Sequence, residues 1–167
     1  GVFDHYLFDR SIDIMSSNAK EQPTFITILS TTNHLPWVIP NNYRKKIPEY
    51  KSNKKDFNLA KKTITYVDNS LEVFFENAKR QDWFDDTIFI ITADHGLNVY
   101  KEHINDPRNG RIPFIIYNSN LKPNQIDKIV SQIDILPTLL DLINQDEYFN
   151  DEILFGCSGF KGEKGFA

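Results

Sequence analysis

The stretch that most constrains this chain covers residues 87–96 and reads TIFIITADHG. Its apolar run, residues 88–91, is short and unbroken, and an acid, a histidine and a glycine follow soon after it. A run of this kind is typical of a strand that is covered on both faces, as in a parallel sheet under helices. The chain is therefore expected to fold around a sheet with a strand at this position.

Two potential metal ligands follow that strand, namely Asp94 and His95. Open α/β sheets place their chemistry beyond the carboxyl ends of their strands, so the pair lies where a site is expected. A carboxylate oxygen and an imidazole nitrogen are ligand types for Mn, Zn or Mg. The same residues also fit an ordinary turn in which Asp94 caps the next element. The dipeptide alone favours that turn, because short motifs often arise by chance.

The remaining pattern alternates between strands and helices. The clearest helical spacing of apolar residues covers residues 59–80, and a shorter helix is expected to end over residues 8–15. Further strands are predicted at residues 25–29 and 112–117, and residues 126–143 have a mostly helical pattern. This order predicts an α/β fold in which a parallel or mixed sheet is covered by helices.

Individual residues and local composition predict where the last helix begins and which two segments are irregular. Pro137 must lie in a first helical turn, because an interior proline would break the helix, and Asp134 is the expected N-cap. Residues 33–55 contain prolines and a basic cluster. They are expected to form a solvated, mobile surface, with a phosphate-facing role as the alternative. Residues 156–167 are glycine-rich and are expected to be irregular.

Length and charge limit the protein classes that remain. A chain of 167 residues fits one domain or part of one. The net charge of -4 argues against a nucleic-acid-binding surface. No apolar stretch approaches the roughly 20 residues that a membrane span needs. The start at Gly1 leads us to expect that part of the domain precedes this chain.

Six segments together resemble a known family. They are GVFDHYLFDR (1–10), PTFITILSTTNHLPW (23–37), TYVDNSLEVFF (65–75), DDTIFIITADHG (85–96), RIPFIIY (111–117) and SQIDILPTLLDLI (131–143). In content, order and spacing they resemble the carboxyl-terminal portion of the sulfatase and alkaline phosphatase superfamily. Within that superfamily they most resemble the lipoteichoic acid synthase group of phosphoglycerol transferases.

The resemblance implies a fold and an activity. Residues 1–167 would be the carboxyl-terminal portion of one sulfatase-like catalytic domain, with an alkaline phosphatase-like mixed or parallel sheet flanked by helices. The implied reaction is the metal-dependent transfer or hydrolysis of a phosphoglycerol-type phosphodiester, in which a threonine hydroxyl takes the phosphoglycerol group. The implied cofactor is a divalent metal, Mn in first place, with Mg, Zn or Ca as alternatives.

Partners and location follow from the same resemblance. The implied substrate is a phospholipid head group or another phosphate or sulfate ester, and nucleic acid is not expected. The parent protein would be anchored in a bacterial cell membrane upstream of this chain. This domain would lie outside the cytoplasm and would be soluble as a fragment. A sulfatase and a non-catalytic α/β binding module remain as alternatives.

Site residues are carried over one by one from the family's motifs. Asp94 and His95 match the family's aspartate–histidine metal pair. His34, in the TTNHLPW segment, matches a histidine that contacts the phosphate or glycerol of the substrate; the alternative is a loop histidine packed against Trp37. His103 is a weaker candidate for a further substrate or metal contact, and a solvated loop histidine is the favoured interpretation there.

The nucleophile is the main departure from the family pattern. In the family, the nucleophilic threonine and a glutamate ligand lie upstream of the GVFDHYLFD-like segment. No catalytic nucleophile is therefore expected in this chain, and the fragment alone is expected to be inactive. Thr31 and Thr32 belong, in register, to the substrate-histidine motif and are not expected to replace the nucleophile. Cys157 lacks the proline and arginine that follow the cysteine of sulfatases.

Overall fold

The computed structural model describes most of the chain, and helices dominate it. The described residues are 2–19, 22–53, 55–96, 106–145 and 155–161. By their contacts they form two compact units, Gly1–Leu121 and Lys122–Ala167. Among the described helices, none is both long enough and apolar enough to cross a membrane.

Within its described residues, the first unit contains three helices, two strands and a short 3₁₀ turn. The helices are α1 (Asp4–Asn18), α2 (Asn41–Arg44) and α3 (Lys55–Ala78), the strands are β1 (Phe89–Thr92) and β2 (Phe114–Tyr117), and the 3₁₀ turn is Pro107–Gly110. Helices and strands at the positions predicted for residues 8–15, 59–80, 88–91 and 112–117 are therefore present. The mixture of helices with a sheet confirms the α/β class.

Aromatic packing between α1, α3 and β1 forms the main core. Its buried members are Phe8, Ile12, Phe74, Ala78 and Phe84. Phe89 of β1 and Tyr117 of β2 pack against this cluster, so the strands lie against the two long helices. Burial of one such aromatic side chain contributes about 1.5–3 kcal/mol, which makes this cluster a main source of stability in the first unit.

β1 differs from the expected strand that is covered on both faces, and its pairing is antiparallel, as the expected mixed sheet allows. Phe89 lies opposite Tyr117 and Thr92 lies opposite Phe114, in an antiparallel register. The first three residues of β1 are only partly buried and Thr92 is exposed, so the strand is not covered on both faces. The apolar run indicated a buried strand, but it carries no information on the direction of the partner strand.

A second correction concerns residues 25–29, which were expected to form a strand. The backbone is irregular from Pro23 to Thr31, and no described strand pairs with it. Ile28 packs against the main core, whereas Phe25 is 83% exposed and Leu29 is 73% exposed. The apolar pattern fits an extended segment, but a strand also needs a neighbour that accepts its backbone hydrogen bonds.

The segment at residues 33–55 is more ordered than expected. Ile39 and Ile47 are buried with Tyr66 of α3 in a second apolar cluster, and the single turn of α2 lies between them in sequence. The expectation of a solvated surface therefore does not hold for Ile39 and Ile47, whereas the basic residues 44–46 between them are exposed. Prolines and lysines dominated the sequence pattern, and two isolated isoleucines were too few to indicate a buried anchor.

The second unit is built on one short helix, α4 (Ile135–Leu142), which follows the 3₁₀ turn Gln132–Asp134. Pro137 lies in the first turn of α4, as predicted, but the helix is shorter than the pattern over residues 126–143. Asp134 occupies the N-cap position of α4, as predicted, but its side chain makes no cap hydrogen bond to that helix. Its carboxylate instead accepts a hydrogen bond from the Ser131 backbone N–H, in the capping box of the preceding 3₁₀ turn.

The described residues 155–161 are irregular, as expected for the tail, but they are tied to α4. The Thr138 hydroxyl oxygen accepts a hydrogen bond of 2.7 Å from the Gly159 N–H. The Asp134 carboxylate accepts another, of 2.8 Å, from the Cys157 N–H. These buried acceptors explain why an irregular glycine-rich segment has a defined position in this unit.

We expect the fold to lose stability as the pH falls below neutral, through His5. Its Nδ1 lies 2.5 Å from the Tyr66 hydroxyl, and burial lowers the pKa of His5, an effect that the Asp9 and Asp4 carboxylates partly oppose. The unfolded chain therefore binds the proton more readily than the folded chain does. The stabilisation is complete above about pH 6.5 and is lost as the pH falls through the lower pKa of the folded state.

The measurement is urea unfolding of the chain between about pH 7.5 and pH 5. His5→Gln should flatten the pH dependence of the unfolding free energy. His34→Gln, at an exposed histidine, serves as the matched control and should retain the dependence of the wild type. An unchanged slope in His5→Gln would show that another group controls the acid response.

Candidate functional site

The Asp-His-Gly turn begins two residues after β1 ends at Thr92. The Asp94 carboxylate accepts a hydrogen bond of 2.9 Å from the His95 backbone N–H, which holds the two residues in a tight turn. Their side chains lie beside each other, with Asp94 Oδ2 3.7 Å from His95 Nε2, and both are at least 70% exposed. The strand end thus presents a carboxylate and an imidazole side by side to solvent.

The His95 ring is oriented by the backbone. Its Nδ1 lies 2.9 Å from the Gly96 carbonyl oxygen. In the neutral ring, a proton on Nδ1 donates to that carbonyl and leaves the lone pair on Nε2. A fixed tautomer with Nε2 available is what a metal-ligating histidine requires.

Gly96 allows the 3₁₀ turn Pro107–Gly110 to close against the Asp-His-Gly turn. A Cβ atom at position 96 would lie 2.1 Å from the Asn109 carbonyl oxygen and 3.0 Å from that of Arg111. Backbone atoms cannot move aside as the end of a flexible side chain can. The glycine after Asp94 and His95 therefore has a steric role in packing their turn.

The carboxylate of Asp106 stabilises the 3₁₀ turn Pro107–Gly110 from its N-cap position. Asp106 accepts a hydrogen bond of 2.6 Å from the Arg108 guanidinium and one of 2.9 Å from the Arg108 backbone N–H. These hydrogen bonds lower the pKa of Asp106 to about 2. Asp106 is therefore ionised at neutral pH, and its carboxylate caps the 3₁₀ turn that packs on Gly96.

His34 lies in a separate turn that follows the extended residues 23–31. Its backbone N–H donates to the Thr31 carbonyl, and its own carbonyl accepts from the Trp37 N–H. The ring is exposed, with Nδ1 3.0 Å from the Leu35 carbonyl oxygen. Like His95, His34 therefore points Nδ1 at the next carbonyl and keeps Nε2 for another contact.

The described residues bring together two candidate metal donors, Asp94 and His95, and not a complete coordination sphere. Within the described ranges, no three His, Cys, Asp or Glu side chains lie close enough together to hold a metal. His34 thus does not join Asp94 and His95 as a third donor, and His103 lies outside the described residues. The carboxylate and imidazole of the pair have the donor chemistry that suits Mn, Mg or Zn, so the pair fits part of such a site.

The structure also shows where the residues considered for nucleophilic attack lie. Thr32 is buried, and its hydroxyl donates a hydrogen bond of 2.6 Å to the Asp4 carboxylate. Cys157 is exposed but belongs to the second unit, in the segment tied to α4. Sequence reasoning overlooked Asp4, because an aspartate at the start of a helix is common and does not indicate burial.

The chain is similar to known proteins of one family. Residues 1–145 match the family model described as Sulfatase. Lipoteichoic acid synthase 2 of Bacillus subtilis is 24% identical over 160 residues, covering 87% of this chain and 24% of that protein. Lipoteichoic acid synthase 1 of the same organism is 27% identical over 168 residues, covering 90% of this chain and 25% of that protein.

A solved structure shows the same fold. A crystal structure of a protein in the alkaline phosphatase superfamily from Vibrio parahaemolyticus matches with a TM-score of 0.71 and 26% identity, covering 90% of this chain and 38% of that chain. The family model and this structural match together identify an α/β protein of the alkaline phosphatase superfamily. The chain belongs to the sulfatase family, which confirms the resemblance seen in the six segments. It spans about a quarter of the length of the lipoteichoic acid synthases that it matches.

Gly96→Ala should destabilise the chain, because the new methyl group would meet the Asn109 carbonyl. The expected loss is about 1–3 kcal/mol, as for other overpacked sites. Gly110→Ala is the matched control: no atom lies within 4 Å of a Cβ at that position, so the change should stay within about 0.5 kcal/mol. Urea unfolding of the two variants measures the difference, and equal stabilities would contradict the steric role of Gly96.

The isolated chain should bind Mn or Zn only weakly through Asp94 and His95. Two donors give a few kcal/mol of ligation, which corresponds to a dissociation constant no tighter than roughly the upper micromolar range. Calorimetric titration should show loss of binding in His95→Ala and its retention in His34→Ala. Binding should also weaken in mildly acid buffer, since protons compete for the imidazole. Tight binding that survives His95→Ala would place the metal site elsewhere.

Proposed function

We propose that this chain forms part of an enzyme that transfers or hydrolyses a phosphoglycerol-type phosphodiester at the outer face of a membrane. The observation that carries the proposal is the exposed Asp94–His95 pair at the end of β1, in a chain of the sulfatase family that is similar to lipoteichoic acid synthases. In this proposal Asp94 and His95 hold a divalent metal and His34 contacts the substrate.

A bound divalent ion, Mn in first place with Mg, Zn or Ca as alternatives, would neutralise phosphate charge and lower the pKa of the attacking hydroxyl. The chain's own contribution is the orientation of the donors. The Gly96 carbonyl keeps the proton of neutral His95 on Nδ1, so that Nε2 can bind. Gly96 itself lets the 3₁₀ turn Pro107–Gly110 pack tightly on the donor turn.

His34 can recognise either part of a phosphoglycerol group through Nε2. In the neutral ring, with Nδ1 directed at the Leu35 carbonyl, Nε2 accepts a hydrogen bond from a glycerol hydroxyl. In the protonated ring, Nε2 donates a charge-assisted hydrogen bond to a phosphate oxygen. Because the ring is exposed, a substrate can reach it without rearrangement of the core.

The remaining parts of the reaction are assigned to the parent protein. The nucleophilic threonine and the other metal ligands would come from the part of the protein that precedes this chain. That protein would be anchored in the bacterial membrane with this domain outside the cytoplasm, where it meets lipid head groups. A sulfatase is the second candidate, because the matched family model has that name and a sulfate ester is also a tetrahedral anion.

The 167-residue chain by itself should show no turnover. Covalent transfer needs an activated nucleophile, and the Thr32 hydroxyl, in the segment where one could be sought, is engaged by Asp4. The test is incubation with a chromogenic phosphodiester, a phosphomonoester and an aryl sulfate, with Mn, Mg, Zn or Ca added. Robust hydrolysis that disappears in Asp94→Ala would reveal a nucleophile within this chain.

In the parent protein, substitutions at the two site turns should have different effects. His34→Ala should lower kcat/KM for a phosphodiester by about 10- to 100-fold, the effect of one lost charge-assisted hydrogen bond, with metal content nearly intact. Asp94→Ala should lose both turnover and metal. Asp86→Asn, at an exposed turn, is the control and should change neither.

Kinetic measurements combined with metal analysis test the role of His34 and distinguish the proposed enzyme from a sulfatase and from a binding module. Equal metal loss in His34→Ala and Asp94→Ala would make His34 a ligand and not a substrate contact. Hydrolysis of aryl sulfate in preference to the phosphodiester would favour the sulfatase. A parent protein that binds glycerol phosphate without any turnover would support the non-catalytic binding module.

A further inference from the structure

The carboxylate of Asp4 is completely buried in the first turn of α1. It accepts a hydrogen bond of 2.6 Å from the Ser30 hydroxyl and another of 2.6 Å from the Thr32 hydroxyl. Among the described side chains, no ion pair includes Asp4. A buried charge is retained only when it is well hydrogen-bonded, and a helix N-terminus favours a carboxylate. The two hydroxyls are therefore essential partners of Asp4.

These two hydroxyl residues lie immediately before the His34 turn. Ser30 and Thr32 flank Thr31, and the Thr31 carbonyl accepts the hydrogen bond from the His34 backbone N–H that begins the turn. Asp4 thus holds the residues on both sides of the carbonyl on which the turn is built. The Asp4 carboxylate is therefore connected to the exposed His34 through two hydroxyl residues and the Thr31 carbonyl that lies between them.

Asp4 is itself held in place by its neighbour in sequence. The backbone N–H of His5 donates to the Tyr66 hydroxyl, and the His5 ring lies 2.5 Å from the same oxygen. Tyr66 is completely buried on α3. The first turn of α1 is therefore fixed against α3, so that Asp4 is a rigid acceptor for the chain that leads to His34.

We propose that Asp4 is a positioning residue that holds Ser30 and Thr32 and thereby fixes the turn that presents His34 to a phosphoglycerol-type substrate. The inference rests on the proposed function of His34 as a substrate contact. With both hydroxyls held, the Thr31 carbonyl has one position and the His34 ring keeps Nδ1 on the Leu35 carbonyl. Without them, the turn samples other arrangements, and the substrate meets Nε2 in only some of these.

The first test uses the 167-residue chain and nitrogen NMR of its histidine rings. In the wild type, His34 should give one set of signals with the neutral ring protonated at Nδ1. Asp4→Asn and Thr32→Val should broaden these signals or change the tautomer ratio. Thr32→Ser keeps the hydroxyl and should restore the wild-type spectrum. Asp9→Asn removes an exposed charge from the same helix and should leave the His34 signals unchanged.

His95, in the same nitrogen spectra, and the Phe74 ring, in aromatic proton–carbon spectra of the same variants, provide internal references. Their signals should remain unchanged in every variant, because they report on the metal-donor turn and on the main core. If the His34 signals stay those of the wild type in both Asp4→Asn and Thr32→Val, the positioning role is refuted. Equal changes at His34, His95 and Phe74 would show a general structural role and would also overturn it.

The second test measures kinetics in the parent protein. Asp4→Asn and Thr32→Val should raise KM for a phosphodiester about three- to tenfold, the effect of one weakened hydrogen bond, with a smaller change in kcat and an unchanged metal content. Thr32→Ser should recover the wild-type KM. An unchanged KM in both variants would overturn the positioning role. Altered His34 signals in a parent protein that turns over no phosphodiester would instead support the positioning and refute the proposed function.

Discussion

The packing of Phe74 between α1 and β1 is the contact on which the first unit depends. Its ring centroid lies 5.6 Å from that of Phe8 on α1 and 6.1 Å from that of Phe89 on β1. Because these contacts hold one end of β1 against two helices, the other end of the strand carries the Asp-His-Gly turn outward. A buried aromatic cluster thus determines where a polar site can be exposed.

The two candidate site turns are shaped by the same local rule. His34 and His95 each direct Nδ1 at the carbonyl oxygen of the following residue, which leaves Nε2 for a ligand. The contacts that hold the two turns differ. The 3₁₀ turn Pro107–Gly110 packs against Gly96 next to His95, whereas the buried Asp4 carboxylate accepts a hydrogen bond from Thr32, two residues before His34. The backbone thus orients the rings, and tertiary contacts hold each backbone in place.

The chain belongs to the sulfatase family, but its described residues do not by themselves form a complete metal site. The pair of Asp94 and His95 supplies oxygen and nitrogen donors that suit a divalent ion, but two donors leave most of a coordination sphere to other residues. The chain covers only about a quarter of the lipoteichoic acid synthases it matches. If this chain is part of a protein of that length, residues outside the chain would determine how strongly a metal binds and whether turnover occurs.

The sequence by itself determined the elements whose signals are local. The three-and-four spacing of apolar residues predicted α3, Pro137 predicted the start of α4, and the run before Asp94 predicted β1 and the position of the Asp94–His95 turn. Only the tertiary structure decided that β1 pairs antiparallel, that residues 25–29 lack a strand partner, that Ile39 and Ile47 are buried, and that Asp4 holds the His34 turn. These features depend on residues far apart in the chain, and the free energy of such contacts has no signature in the local sequence of either partner.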